Sequence, residues 1–165
     1  MMFRLFHKTD VLGLLSSKLY DERSFYDAFA KDVGRAKRSV VIESPYLTER
    51  RALQFCRLFR RMDKQGVKIR VNTRNPRHHD KTLEIQSWKA MSILREHNVV
   101  VCTYNDMRHR KLAIIADTVL WEGSLNILSQ NSSRELMRRT VSKDLCSQVL
   151  LFTSIARELR WYNWS

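Results

Sequence analysis

The stretch that decides the fold runs His109-Arg110-Lys111-Leu112-Ala113-Ile114-Ile115-Ala116-Asp117-Thr118-Val119-Leu120-Trp121-Glu122-Gly123-Ser124-Leu125-Asn126. Two apolar runs lie on either side of Asp117-Thr118. The pattern predicts two short strands, His109 to Ala116 and Thr118 to Leu125, joined by a tight turn. Side chains two apart on a strand share a face, so His109 and Lys111 point one way, as do Ser124 and Asn126. If the strands pair, an imidazole, an ammonium, a hydroxyl and a carboxamide converge on one small anion. A phosphate diester suits that set: a nucleophile, a positive charge and two neutral hydrogen-bonding groups.

Upstream, strand and helix patterns alternate. Ser24 to Ala36 carries Phe25, Ala28, Phe29 and Val33 at helical spacing. Ser39 to Glu43 reads as a buried strand, and Thr48 opens a helix that Gly66 ends. Val67 to Val71 is a second strand, and Asn72 to Asp80 a polar loop. Lys81 to Glu96 is a helix and Val99 to Tyr104 a third strand. Downstream of the hairpin, Glu135 to Val141 is a further strand and Lys143 to Arg160 a final helix. This order predicts an α/β sandwich with a mixed, mostly parallel sheet flanked by helices. The whole chain, 1–165, reads as a single domain with its motif region at 109–135.

Composition agrees. The 165 residues are 44% hydrophobic, enough for a core, and hold only four Gly and two Pro, too few for a long linker. Thirty Lys+Arg against 17 Asp+Glu leave a net charge of +13, which suits a polyanion: nucleic acid first, an anionic membrane second. The odd number of cysteines, Cys56, Cys102 and Cys146, with no C-x-x-C spacing, points to reduced thiols in a cytoplasmic protein. Cys56 and Cys102 read as small core residues. Arg4 and Lys8 before Val11-Leu12-Gly13-Leu14-Leu15 imitate a signal peptide, but the apolar run is short and Asp10 interrupts its approach. No stretch reaches the ~18 apolar residues of a spanning helix, and no stable membrane association is expected.

His109-x-Lys111 with Gly123-Ser124-x-Asn126 resembles the H-x-K-x4-D-x6-G-S-x-N signature of the phospholipase D superfamily. The resemblance is greatest to the phospholipase D-like domains of small nucleases and of helicase-associated proteins. It is carried also by Ser39-Val40-Val41-Ile42-Glu43-Ser44-Pro45-Tyr46, by Val71-Asn72-Thr73-Arg74 and by Ser133-Arg134-Glu135-Leu136-Met137-Arg138-Arg139, and it spans roughly Phe25 to Thr140. One departure is plain. The signature's Asp falls at position 116, where this chain has Ala116, with Asp117 next. In the family that Asp supports the fold more than it touches substrate. Either Asp117 partly replaces it or the site is weakened.

The resemblance implies a metal-independent phosphodiesterase acting on nucleic acid, DNA ahead of RNA, with no cofactor. His109 attacks phosphorus to give a phosphohistidine that water hydrolyses. Lys111, Ser124 and Asn126 hold the non-bridging oxygens. Glu135, nine residues after Asn126, takes the place of the acid that orients the histidine; Glu122 ranks second. The chemistry needs another histidine as proton donor, and this chain carries one motif, so the resemblance implies a homodimer in which two His109 rings meet across a two-fold axis. Arg74, Arg77, Arg108 and Arg110, in loops or beside the motif, are candidates for backbone phosphate contacts. No Asp/His cluster has metal-ligand spacing.

Other features read more plainly. His79-Asp80-Lys81 imitates a second H-x-K but precedes a helix, with Asp80 as its cap; His78 and His79 still qualify as lining for a substrate groove. Arg50, Arg51, Arg57, Arg60, Arg61 and Lys64 read as a solvated helix face. Trp121 reads as core, and Trp161, Tyr162 and Trp164 as an aromatic end that docks the last helix or a partner. Two rival functions stay open: a non-catalytic nucleic-acid-binding module on the same fold, which Ala116 favours, and a lipid phosphodiesterase.

Overall fold

In the computed structural model, residues 16–129 and 132–157 are described. The N-terminal apolar run, the tail of the last predicted helix and Trp161, Tyr162 and Trp164 lie outside them. Seven strands form one sheet: β1 (Ser17–Asp21), β2 (Ser39–Glu43), β3 (Lys68–Arg74), β4 (Val100–Tyr104), β5 (Leu112–Ile115), β6 (Val119–Gly123) and β7 (Leu136–Val141). The helices are α1 (Phe25–Val33), α2 (Glu49–Lys64), α3 (Lys81–Glu96) and α4 (Lys143–Phe152). The strand order is β1-β7-β6-β5-β2-β3-β4.

The mixed sheet is present, but it is not mostly parallel. Only β2–β3 and β3–β4 pair in parallel; β2–β5, β5–β6, β6–β7 and β1–β7 are antiparallel. The physical reason is connectivity. Helical crossovers carry the chain from β2 to β3 and from β3 to β4, and a crossover returns a strand parallel. From β5 onward short turns and loops join the strands, and a strand entered that way runs back. The expectation carried the first pattern too far along the chain. β1 is also additional. Its sequence, Ser-Lys-Leu-Tyr-Asp, is polar because it lines the sheet edge beside β7.

The sheet buries both faces unequally. Val40, Ile42, Ile69, Val71, Ala113, Ile115, Trp121 and Met137 join Phe25, Phe29, Phe55, Phe59, Met62 and Leu94 of α1, α2 and α3 in the main core. Val41, Leu112, Ile114 and Leu120, the alternate residues of the same strands, pack with Cys146 and Ile155 in a smaller one. α1 shows why it forms: Phe25, Phe29 and Val33 recur every four residues and are fully buried. Among the cysteines it is Cys146 that is buried. Cys56 and Cys102, expected in the core, are half-buried, Cys102 because β4 is the other edge of the sheet. Arg51 likewise leaves the solvated face of α2: it is buried, with its guanidinium 3.7 Å from the centroid of Tyr26. Burial pushes the Tyr26 hydroxyl up to about 12.

Candidate active site

Register places the site before any side chain is considered. Glu43, the last residue of β2, pairs with Leu112, the first of β5, so the segment entering β5 sits at the carboxyl end of β2. Leu112 in turn pairs with Glu122, and Gly123 with Met137, so the exit of β6 and the entry of β7 reach the same edge. Arg74 ends β3 there too. Residues at 109–111, 123–126, 135 and 74 thus gather at one rim, the crevice outside the carboxyl ends of the parallel strands.

His109 and Lys111 lie in the extended segment just before β5 rather than within it. Their orientation is set from below. Glu43 is fully buried and accepts from Arg110 Nη2 at 2.9 Å and Nε at 3.2 Å, and from Arg108 Nη1 at 3.4 Å. Arg108 also holds Asp106 at 2.8 Å and lies 3.2 Å from the centroid of Tyr104. A charge removed from water demands such partners. Arg108 and Arg110 point inward, and alternation turns His109 and Lys111 outward. Their guanidinium groups anchor the motif segment to Glu43, with Arg110 remaining 40% exposed.

Lys111 Nζ stands 2.7 Å from His109 Nδ1 and donates to the His109 carbonyl at 2.8 Å. An ammonium offers only protons, so this contact calls for a lone pair on Nδ1, which a neutral ring with its proton on Nε2 supplies. Burial, then the charges of Lys111 and Arg74, hold the His109 pKa below its ordinary 6.5. Burial lowers the Lys111 pKa as well, against a carboxylate, Glu135, that favours the ammonium. Glu135 Oε1 itself accepts from Ser133 Oγ at 2.8 Å. The expected Glu135 contact with the His109 ring is therefore not made in this arrangement; Lys111 occupies Nδ1 instead.

Ser124 extends the β6–β7 ladder. Its N–H donates to the Leu136 carbonyl at 2.9 Å and its Oγ accepts from Leu136 N–H at 3.1 Å. Asn126 Oδ1 is buried with no hydrogen-bond partner. Gly123 owes its place to close approach: a Cβ there would stand 2.1 Å from the Leu136 carbonyl oxygen. A groove of about 490 Å³ starts at Lys111 and runs past Glu122, Leu136 and Arg138 to Phe152.

Three residues that the motif does not contain join the rim. The Tyr46 ring stands 5.7 Å from His109 and 5.0 Å from His79, centroid to centroid. The Arg74 guanidinium lies 6.0 Å from the same ring. The polar loop expected from Asn72 begins as strand, which is what buries Arg74. Arg77 is exposed beyond it. The sequence signal for Tyr46 was its place after Ser44-Pro45; for His79 it was present but overshadowed by the decoy motif.

Position 116 is remote from this rim, at the opposite end of β5. Ala116 and Asp117 both have positive φ, 50° and 57°, and close the turn with Thr118 N–H on the Ile115 carbonyl. Near that end Asp32 of α1 accepts from Trp121 Nε1 at 2.9 Å and from Arg139 Nε at 2.6 Å. A carboxylate from a helix thus ties α1 to β6 and β7, a role sequence spacing within the motif did not reveal.

The chain matches the family described as "Cardiolipin synthase, PLD-like domain" over residues 30–151. It belongs to this phospholipase D-like family. No curated protein matches it. Among solved structures it is similar to NucT from Helicobacter pylori (TM-score 0.69, 20% identity, 86% of this chain and 95% of that one). It is equally similar to Nuc from Salmonella typhimurium, a phospholipase D family member (TM-score 0.69, 17% identity, 83% and 90%). A phosphatidylserine synthase from Haemophilus influenzae Rd KW20 matches less well (TM-score 0.61, 13% identity, 86% and 38%).

Proposed function

We propose that this protein is a metal-independent phosphodiesterase that hydrolyses nucleic acid, DNA before RNA, through a phosphohistidine, with its active site shared across a homodimer. The observation that carries this reading is the neutral His109 ring held 2.7 Å from the Lys111 ammonium. An incoming phosphate draws Lys111 from the ring to its non-bridging oxygens; the ring exchanges its proton with solvent from Nε2 to Nδ1, and Glu135, released from its local contact, accepts that Nδ1–H and leaves Nε2 free. The free ring nitrogen of His109 attacks phosphorus. A P–N bond forms, the P–O bond to the leaving nucleoside breaks, and the leaving oxygen takes a proton from the second subunit's imidazolium. Water then gives its proton to that neutral imidazole and attacks phosphorus, and the P–N bond breaks. Asn126, aided by Ser124, steadies the charge on the oxygens as it shifts.

The net charge of +13 supports nucleic acid over lipid. Ala116 sits at the turn between β5 and β6, so its departure from the signature takes no side chain from the rim. The test is incubation with labelled single- and double-stranded DNA and RNA in EDTA, with acid-labile phosphohistidine trapped by rapid denaturation. Cleavage and trapping by the wild type, both lost in His109→Asn, are expected. A metal requirement, or cleavage by a strictly monomeric protein in sedimentation, would overturn it; vesicle headgroup release without nucleic-acid cleavage would favour the lipid reading.

A further inference from the structure

Two buried polar atoms beside the motif have no hydrogen-bond partner and point to a ligand. Arg74 is only 9% exposed, yet its Nε has no acceptor, and its Nη2 reaches only the Met107 sulfur at 3.6 Å, a poor acceptor. His79 Nε2 is likewise buried and unpartnered. The nearest carboxylate in sequence does not serve it, since Asp80 accepts from Leu83 N–H at the start of α3. Elsewhere at this rim the arginines are satisfied: Arg108 and Arg110 hold Glu43. A guanidinium buried without a carboxylate is costly unless an anion completes it. The Tyr46 ring lies 5.0 Å from the His79 ring and 5.7 Å from the His109 ring, with Arg74 6.0 Å away, so the unmatched donors gather around a ring that also touches His109.

We infer that Arg74 and His79, set around Tyr46, form a second phosphate subsite that takes the phosphodiester next to the one His109 attacks. The inference rests on the nucleic-acid reading above and sharpens it: the preferred substrate is a strand with at least two consecutive phosphates. Arg74 supplies a forked pair of N–H donors to the phosphate oxygens, and His79 a ring N–H. The subsite positions the strand and carries no base readout. Burial first and the Arg74 charge second hold the His79 pKa low, and an anion there offsets the second of these.

The experiment measures binding to the His109→Asn protein, which cannot cleave its ligand. The probes are the thymidine dinucleoside monophosphate and the same molecule with one further phosphate at its 5′ or 3′ end. A tenfold or greater gain from the added phosphate at one end is expected, the effect of one or two charge-assisted hydrogen bonds. That gain should collapse towards unity in H109N/R74Q and in H109N/H79Q, and survive in H109N/R60Q, where an exposed arginine on α2 is removed. If Arg74→Gln impairs folding, the half-buried His79→Gln carries the test. Equal affinity for all three probes, or a gain that persists in both variants, or a gain lost equally in H109N/R60Q, overturns the subsite while leaving the nucleic-acid reading intact. Absence of binding to every probe and to longer DNA and RNA overturns both.

Discussion

Gly123→Ala is the most informative single substitution for how the motif is held. The added Cβ would stand 2.1 Å from the Leu136 carbonyl oxygen and 2.9 Å from Met137 Cα, and ordinary contact begins at 3.4 Å. The carbonyl must therefore retreat by about 1.3 Å, the difference between 3.4 and 2.1 Å. Backbone on a central pairing cannot yield as a side chain does. A shift that large breaks both the Ser124 N–H bond to Leu136 (2.9 Å) and the Leu136 N–H bond to Ser124 Oγ (3.1 Å). Two hydrogen bonds at about 1 kcal/mol each, with overpacking of about 1–3 kcal/mol, give a loss of roughly 3–5 kcal/mol. With a urea slope of about 2 kcal/mol per molar, the unfolding midpoint falls by roughly 1.5–2.5 M. Gly66→Ala is the control. Nothing lies within 4 Å of its Cβ, but φ is +77°, so strain alone should cost about 1–2 kcal/mol. A Gly123→Ala midpoint within about 0.3 M of wild type would refute the claim that β6 and β7 meet through that glycine.

Asp32→Ala leaves the Trp121 indole N–H and the Arg139 guanidinium without their carboxylate; a loss of about 2–4 kcal/mol, seen as a fall in Tm of roughly 5–12 °C by calorimetry, is expected. Ala116→Asn should stabilise by about 0.5–1 kcal/mol, since asparagine accepts the left-handed conformation more readily, and denaturant titration reads it directly. The pH profile follows from His109, whose folded pKa lies below 6.5. Its neutral, attacking form persists below that pH, so the acid limb of kcat/KM should fall on the acid side of 6.5, and Lys111→Met, which removes one of the depressing charges, should move it upward in any residual activity. For stability the sign is the reverse of a gained ion pair. As pH falls through 6.5 the unfolded chain takes up this proton first, so the contribution present above 6.5 is lost between 6.5 and the lower folded pKa. NMR titration of the imidazole checks both statements.

Much of the site was legible because a strand's two-residue period and a hairpin's register are local. His109 and Lys111 lie just before β5 and Ser124 and Asn126 just after β6, so the hairpin register brings both pairs to one edge. What escaped was long-range. Arg108 and Arg110 read locally as phosphate ligands, and the partner they share in the fold, Glu43, lies 65 residues before Arg108 and is out of reach of any local reading. Arg74 was named for its charge, yet its importance lies in being buried at the end of β3 with donors unspent. His79 reads locally as groove lining beside a helix start, and only the fold sets its ring 5.0 Å from Tyr46, 33 residues away in sequence.

The amino-acid order by itself determined most of the elements, the motif that sets His109 beside Lys111, and the family, because these depend on spacing over a few residues. Strand order, the antiparallel half of the sheet, the Asp32 tie beneath β6 and β7, and the Arg74–Tyr46–His79 flank belong to the folded chain alone. Each depends on which distant segments share an edge, and burial decides which charged groups find partners and which are left for a ligand.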